Sequence, residues 1–141
     1  MRLLHYPPQE PPFSTDALGI GEHCDYECLT VLAQDEVGGL QVRAAGDSWI
    51  EAPPVRSAFV VNVGEMLQRW TNDELIATSH RVVNTTGAER YSVPLFFATN
   101  PDVLIEPIGP CVSLVRPPRY APVRAGDYLT ARLSEVYGAT V

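Results

Sequence analysis

The sequence contains no lysine. All ten of its basic residues are arginines, and the acidic residues outnumber them to give a net charge of −7. A protein that binds nucleic acid needs a concentrated basic surface, whereas these arginines are dispersed along the chain. The same lack of basic clusters disfavours attachment to an anionic membrane surface. We therefore expect neither a nucleic-acid partner nor a membrane partner.

Long apolar runs are also lacking. No run approaches the ~20 residues that a membrane-spanning helix needs, and the first eight residues are too short and too rich in proline for a signal peptide. Cysteine is scarce and odd in number, at three, which argues against a disulfide framework and for a reducing compartment. Hydrophobic residues make up 45% of the 141 positions, enough for a packed core. We expect a cytoplasmic protein.

Thirteen prolines and ten glycines divide the sequence into strand-length runs rich in β-branched and aromatic residues. Their regular spacing predicts an all-β fold, an antiparallel sandwich or jelly roll. Apolar spacing predicts a short helix over 65–70, and a C-terminal helix that Asp127 caps and Gly138 ends. We expect strands at the remaining runs: 2–6, 18–23, 28–33, 40–43, 49–52, 59–63, 80–83, 90–98 and 103–108.

Three potential metal ligands stand out: His23, Asp25 and His80. His23 and Asp25 lie two positions apart, and on a strand such residues point to the same face. Two histidines and one carboxylate form the facial triad of non-haem Fe(II) oxygenases, which leaves positions open for other ligands. The pair alone is weak evidence, because a surface histidine beside a surface aspartate fits it equally well. Zinc can also occupy three such ligands.

A second polar pair follows ten residues after His80. Arg90 and Ser92 again share one face of a predicted strand, and a guanidinium beside a hydroxyl is a good receptor for a carboxylate. The alternative is a surface arginine paired with Glu89, which contributes little. Tyr6, in the first predicted strand, offers a further hydroxyl, although a half-buried aromatic before a turn is the commoner role of such a residue.

Five motifs occur in a fixed order: H-C-D (23–25), A-G-D-S-W-I (45–50), N-V-G-E-M-L-Q-R-W-T-N (62–72), S-H-R-V (79–82) and E-R-Y-S-V-P-L-F-F (89–97). In this order and register, from about residue 2 to residue 108, the chain resembles the isopenicillin N synthase-like family of 2-oxoglutarate- and Fe(II)-dependent dioxygenases. The resemblance rests on several independent motifs and is therefore far more specific than H-x-D alone.

The resemblance implies a double-stranded β-helix (jelly roll) over residues 1–110, followed by a linker and a helix over 111–141. Family members also carry an N-terminal region, which we expect to be absent here because Met1 falls on the first core strand. That region covers one face of the sheet in the family, so we expect exposed apolar surface and marginal stability. Self-association through this surface stays open.

The resemblance also implies an enzyme that uses Fe(II), 2-oxoglutarate and O2 to oxidise an unactivated C–H bond of a small organic substrate, with release of succinate and CO2. Two alternatives stay open. One is a truncated, inactive or non-enzymatic jelly-roll module, and the other is an iron oxidase of the same family that does not use 2-oxoglutarate. The implied site residues are the iron ligands His23, Asp25 and His80 and the 2-oxoglutarate-binding residues Arg90, Ser92 and Tyr6.

Overall fold

The computed structural model describes residues 1–10, 18–84 and 86–138. Within these ranges no helix is both long and apolar enough to cross a bilayer. The helices are α1 (Glu65–Trp70), α2 (Ala125–Tyr137) and a short 3₁₀ helix (Gly109–Cys111). The strands are β1 (Leu4–Tyr6), β2 (Leu18–His23), β3 (Leu29–Gln34), β4 (Leu40–Arg43), β5 (Trp49–Glu51), β6 (Val60–Val63), β7 (His80–Val83), β8 (Arg90–Phe97), β9 (Leu104–Ile105) and β10 (Val123–Arg124).

The first eight strands form two four-stranded sheets, with the orders β1-β8-β3-β6 and β2-β7-β4-β5. β1 pairs with β8, β2 with β7, and β4 with both β5 and β7, all antiparallel. Apart from the β4–β5 hairpin, successive strands alternate between the two sheets, which is the arrangement of a jelly roll. The predicted all-β fold with a short helix near 65–70 and a C-terminal helix is confirmed.

The chain divides into two compact units, each with its own core. In the first unit, Tyr6 and Leu32 from one sheet pack with Leu40 and Val82 from the other. In the second unit the buried cluster consists of Cys28, Met66, Ile105 and Ala125. As far as they are described, the units comprise Met1–Cys24, Thr30–Asn62 and Thr78–Phe96 in the first, and Asp25–Leu29, Val63–Ala77 and Phe97–Val141 in the second.

The two helices lie close to where the sequence predicts them. α1 has the predicted bounds and buries Met66, with Leu67 and Trp70 packed against the same cluster. α2 begins at Ala125, so the prediction that Asp127 caps it is wrong. Asp127 instead lies in the first turn of α2. There its negative charge interacts favourably with the positive end of the helix dipole. Gly138 ends the helix in the left-handed conformation with φ of 62°, as predicted.

The predicted strands up to β8 lie within two residues of the observed bounds, the largest difference being β1, which begins at Leu4 and not at residue 2. The differences at β9 and β10 are larger. β9 covers only Leu104–Ile105 of the expected 103–108, since Pro107 lacks the N–H that would continue a ladder. β10 was not predicted at all, because a two-residue strand has no pattern of its own. β10 is defined by its antiparallel pairing with β9, in which Val123 lies opposite Ile105.

One face of the first sheet carries exposed apolar side chains. Along β8, Arg90 and Ser92 are buried while Tyr91 and Leu95 are 42% and 46% exposed. On β6 of the same sheet, Val61 is 58% exposed. The alternation puts the polar pair inside the roll and the apolar residues outside, so the expected exposed apolar surface is present on this sheet.

Candidate active site

His23 and His80 come together through strand pairing. His23 is the last residue of β2, His80 is the first residue of β7, and the two lie directly opposite each other. Their ring centroids are 4.3 Å apart. The register between these strands shifts twice before it reaches His23, and bulges of this kind re-aim side chains next to functional sites.

Asp25 lies two residues beyond the end of β2, so the expectation that it shares a strand with His23 is wrong. Its side chain nevertheless joins the two imidazoles. One ligand atom from each of His23, Asp25 and His80 lies within 4.8 Å of the others. Two atoms bound to one ion by bonds of about 2.2 Å can lie at most about 4.4 Å apart. The observed separation of the ligand atoms is close to this limit. Asp25 and His80 are both buried, so the predicted ligand set is brought together.

The tautomer of both histidines follows from their hydrogen bonds. Nδ1 of His23 lies 2.8 Å from the carbonyl oxygen of Gly21, and Nδ1 of His80 lies 3.0 Å from that of Thr78. Because a carbonyl only accepts, each Nδ1 must carry the proton. In the neutral ring, Nε2 then has a lone pair, which is the state that binds a metal, and the backbone bond holds the ring in place. Two neutral imidazoles and one carboxylate are the donor set that suits Fe(II), so these residues fit that ion.

Glu22 lies beside this cluster without belonging to it. Its carboxylate accepts hydrogen bonds from the Ser79 hydroxyl at 2.8 Å and from Nη1 of Arg43 at 2.5 Å. The bond from Ser79, together with the bond and the charge of Arg43, holds the pKa of Glu22 below its usual value. Glu22 therefore stays ionised in its own network on the exposed side of the strands.

Arg90 and Ser92 are buried together on β8, with exposures of 1% and 2%. Nη1 of Arg90 donates to the Ser92 hydroxyl at 3.3 Å. Tyr6 lies opposite Arg90 in the pairing of β1 with β8, and the guanidinium carbon is 4.6 Å from the centre of its ring. The structure thus brings the three predicted co-substrate residues together, with the ring face of Tyr6 turned to the cation.

Two further contacts of Arg90 were not predicted. Nε donates to the carbonyl oxygen of Gly38 at 2.6 Å, and Nη2 donates to Oε1 of Gln34 at 3.3 Å. The Gly38-Gly39 turn was the only signal in the sequence. Both glycines have positive φ, and a Cβ on Gly39 would lie 2.3 Å from the carbonyl oxygen of Val83, so the turn requires glycine. In the described part of the chain, the hydrogen-bond partners of Arg90 are all neutral.

The family profile of the 2OG-Fe(II) oxygenase superfamily matches residues 1–99. The chain belongs to this superfamily. It is 42% identical to a 2-oxoglutarate-Fe(II) type oxidoreductase of Emericella nidulans, over 98% of this chain and 40% of that protein. It is 38% identical to the kihadalactone A synthase LFS of Citrus sinensis, over 99% of this chain and 42% of that protein.

Solved structures share the fold. A full-length Neurospora crassa protein in complex with alpha-KG and thymine superposes with a TM-score of 0.88 and 36% identity, over 96% of this chain and 43% of that one. JOX2 in complex with 2OG, Fe and JA gives a TM-score of 0.81 and 35% identity, over 93% of this chain and 37% of that one. The chain therefore spans less than half the length of these relatives, and the resemblance read from its motifs is confirmed.

Proposed function

We propose that this chain forms the catalytic core of a non-haem Fe(II)- and 2-oxoglutarate-dependent dioxygenase acting on a small organic molecule. The observation that carries the proposal is the convergence of two imidazoles, each with its Nδ1 proton on a backbone carbonyl, and one buried carboxylate. When bound, Fe(II) with 2-oxoglutarate and O2 supplies the oxidising chemistry, in which the keto acid loses CO2 to become succinate and a substrate C–H bond is oxidised.

The proposed metal ligands are His23, Asp25 and His80. Three protein ligands would leave up to three coordination positions of a bound Fe(II) open for the co-substrate and for O2. The backbone carbonyls of Gly21 and Thr78 keep both rings in the tautomer that exposes Nε2. The single carboxylate offsets one of the two positive charges of the ion, so an anionic co-substrate is attracted to the site.

Arg90 is the proposed receptor for the distal carboxylate of 2-oxoglutarate, with Ser92 and Tyr6 beside it. The guanidinium is 1% exposed, and within residues 1–10, 18–84 and 86–138 its hydrogen-bond partners are all neutral, so no anion among them compensates its charge through a hydrogen bond. A carboxylate that enters the roll supplies that anion and forms charge-assisted hydrogen bonds with the guanidinium and the Ser92 hydroxyl. The bond from Nε to Gly38 restrains the guanidinium plane, and the longer bonds of Nη1 and Nη2 to Ser92 and Gln34 leave these nitrogens as the proposed donors to the co-substrate.

The substrate class is inferred from relatives only as a small organic molecule. The solved structures named above contain different small molecules, thymine in one case and JA in the other. This diversity fits a fold in which the core binds iron and 2-oxoglutarate and other parts of the protein select the substrate.

The decisive experiment adds 2-oxoglutarate to the anaerobic Fe(II)-loaded protein. A weak visible charge-transfer band is expected, because chelation of the ion by the keto acid produces one, and admission of O2 with a substrate then yields succinate. Turnover without this band supports the alternative oxidase that does not use 2-oxoglutarate. Absence of both the band and of Fe(II) binding contradicts the proposal and supports a non-enzymatic jelly-roll module.

We also propose that copies of the chain associate through the exposed face of the first sheet, and that the protein acts in the cytoplasm. The first proposal is supported by Tyr91, Leu95 and Val61, which are apolar, exposed and on one sheet. The second is supported by the three cysteines, all of which are free and so compatible with a reducing compartment.

A further inference from the structure

The C-terminal helix reaches the first residue of α1 through a two-point ion pair. Nε and Nη2 of Arg132 each lie 2.8 Å from a different carboxylate oxygen of Glu65. Tyr128, one turn earlier on α2, donates its hydroxyl to the same carboxylate at 2.6 Å. Parallel hydrogen bonds from a guanidinium fork restrict orientation as well as distance, so Glu65 is held in one position.

Glu65 is in turn bonded to the residue proposed as the carboxylate ligand. Its backbone N–H donates to the carbonyl oxygen of Asp25 at 2.8 Å, and that of Met66 donates to the carbonyl oxygen of Tyr26 at 3.2 Å. The start of α1 is therefore attached by backbone bonds to the segment that carries Asp25. A shift of Glu65 would move that segment.

Arg132 also contacts the Asp25 segment directly. Its guanidinium carbon lies 4.8 Å from the centre of the Tyr26 ring, a cation–π distance, and Tyr26 is the next residue after Asp25. One side chain of α2 thus restrains the position of Asp25 from two directions, through Glu65 and through Tyr26. The pair is only partly exposed, at 31% for Arg132 and 22% for Glu65, so water screens it less than a surface pair.

We propose that Arg132 is a positioning residue that holds Asp25 in the orientation in which its carboxylate meets the two imidazoles. This inference rests on the proposed function, because it presupposes that Asp25 binds the metal. Burial and the hydrogen bond to Glu65 raise the pKa of Tyr128, so its hydroxyl remains a donor to Glu65 throughout the neutral range and supports the same arrangement.

The test measures metal affinity separately from stability. Co(II) is titrated into the metal-free protein and followed by its visible absorption, and thermal unfolding is recorded without metal. Arg132→Gln should weaken Co(II) binding about tenfold, the lower end of the loss seen when groups that orient metal ligands are removed. Arg132→Lys, which keeps the charge and loses the fork, should give a smaller loss. If Arg132→Gln does not fold, Tyr128→Phe, which deletes one hydrogen bond to Glu65, should weaken Co(II) binding by a smaller factor.

Two control variants change side-chain contacts of the same helix without touching the Asp25 segment. Arg124→Gln removes the bond from Nη1 to the carbonyl oxygen of Asp102 at the start of α2. Ser134→Ala removes the hydrogen bond from the Ser134 hydroxyl to the carbonyl oxygen of Thr130 within the helix. Both should leave Co(II) affinity unchanged, even where they lower the melting temperature.

The outcomes separate this inference from the proposed function. Unchanged Co(II) affinity in Arg132→Gln, or an equal loss in Arg124→Gln, overturns the positioning role while the metal site stands. Absence of Co(II) binding by the unmodified protein overturns both. A loss confined to the Arg132 and Tyr128 variants establishes the positioning role, because a merely structural attachment of α2 would change the melting temperature alone.

Discussion

His23 and His80 lie opposite each other in the antiparallel pair β2–β7, with ring centroids 4.3 Å apart and ring planes inclined at 53°. Both rings direct Nδ1 at a backbone carbonyl two residues earlier in the chain. Each Nε2 therefore keeps its lone pair, and the buried carboxylate of Asp25 beside the rings is the third donor that a metal ion of this class needs.

Removal of one imidazole from this pair should abolish metal binding. His80→Ala is expected to weaken Co(II) or Fe(II) binding by more than about 100-fold, beyond the loss that follows from disturbing a group behind a ligand. The third histidine provides a matched control. His5 is exposed and bonded to Glu89 at 2.8 Å, so His5→Ala should bind metal normally. Equal affinities in the two variants would remove His80 from the ligand set.

Replacement of Arg90 by lysine should separate co-substrate binding from metal binding. Lysine keeps the charge but loses the fork that reaches Ser92 and Gln34. The Kd of 2-oxoglutarate should rise about 10- to 100-fold, since a hydrogen bond to a charged group contributes about 1.5–3 kcal/mol. The charge-transfer band of the anaerobic Fe(II) protein measures this. Exposed Arg56→Lys is the control, and a normal Kd in Arg90→Lys would refute the assigned role.

Gly64 should tolerate no side chain, although its backbone conformation is an ordinary one. It precedes α1 with φ of −98°, but a Cβ there would lie 2.0 Å from the carbonyl oxygen of Glu27. Gly64→Ala is expected to lower the free energy of unfolding by at least about 1–3 kcal/mol through overpacking. Gly109→Ala is the control, because a Cβ there meets nothing within 4 Å. Urea unfolding of both variants checks the contrast, and equal stabilities would contradict it.

Titration of Asp73 should make the free energy of unfolding depend on pH in the acid range. Burial raises the pKa of Asp73, but hydrogen bonds from Tyr120, Gln68 and Arg119 outweigh it and hold that pKa below its usual value. The unfolded-state pKa of about 3.9 then exceeds the folded one. The ionised carboxylate therefore stabilises the fold above that pH, and the stabilisation is lost as the pH falls through the folded-state pKa.

Asp73→Asn isolates this effect, because asparagine also tolerates the positive φ of 65° at this position. The variant should be less stable than the unmodified protein at pH 7, and the difference should shrink as the pH falls below about 4. Urea unfolding at a series of pH values measures it. A difference that is constant with pH would show that the charge of Asp73 contributes nothing.

The apolar face of the first sheet should drive association. Exchange of Val61 and Leu95 for threonine removes apolar area from this face and keeps residues with strand propensity. The double variant should bind less hydrophobic dye and sediment with a smaller mass than the unmodified protein. Val115→Thr is the control, since Val115 is 95% exposed outside both four-stranded sheets. Identical sedimentation of all three proteins at every concentration would exclude this face as the interface.

Much of the fold follows from local signals in the sequence. The spacing of Arg90 and Ser92 predicts that they share one face of a strand, and the structure confirms this and buries that face of β8. The apolar spacing of 65–70 predicts α1 with its observed bounds, and Gly138 predicts the end of α2. These features depend on residues that are neighbours along the chain, so their pattern is visible without the fold.

Long-range contacts were decided by the tertiary structure. Nothing local shows that Asp25 leaves the strand of His23 and still meets His80, that a backbone carbonyl of Gly38 holds Arg90, or that Arg132 reaches Glu65. Every residue has the same backbone carbonyl, so the sequence does not show which carbonyl accepts a given hydrogen bond. Two residues far apart in the chain also produce no periodic pattern that would reveal their contact. The sequence by itself therefore determined which side chains are candidates for the chemistry and, for Arg90 and Ser92, that they share one face of a strand. The tertiary structure decided where those side chains meet, because it is the pairing of β2 with β7 that places His23 opposite His80 and the packing of α2 that brings Arg132 to Glu65.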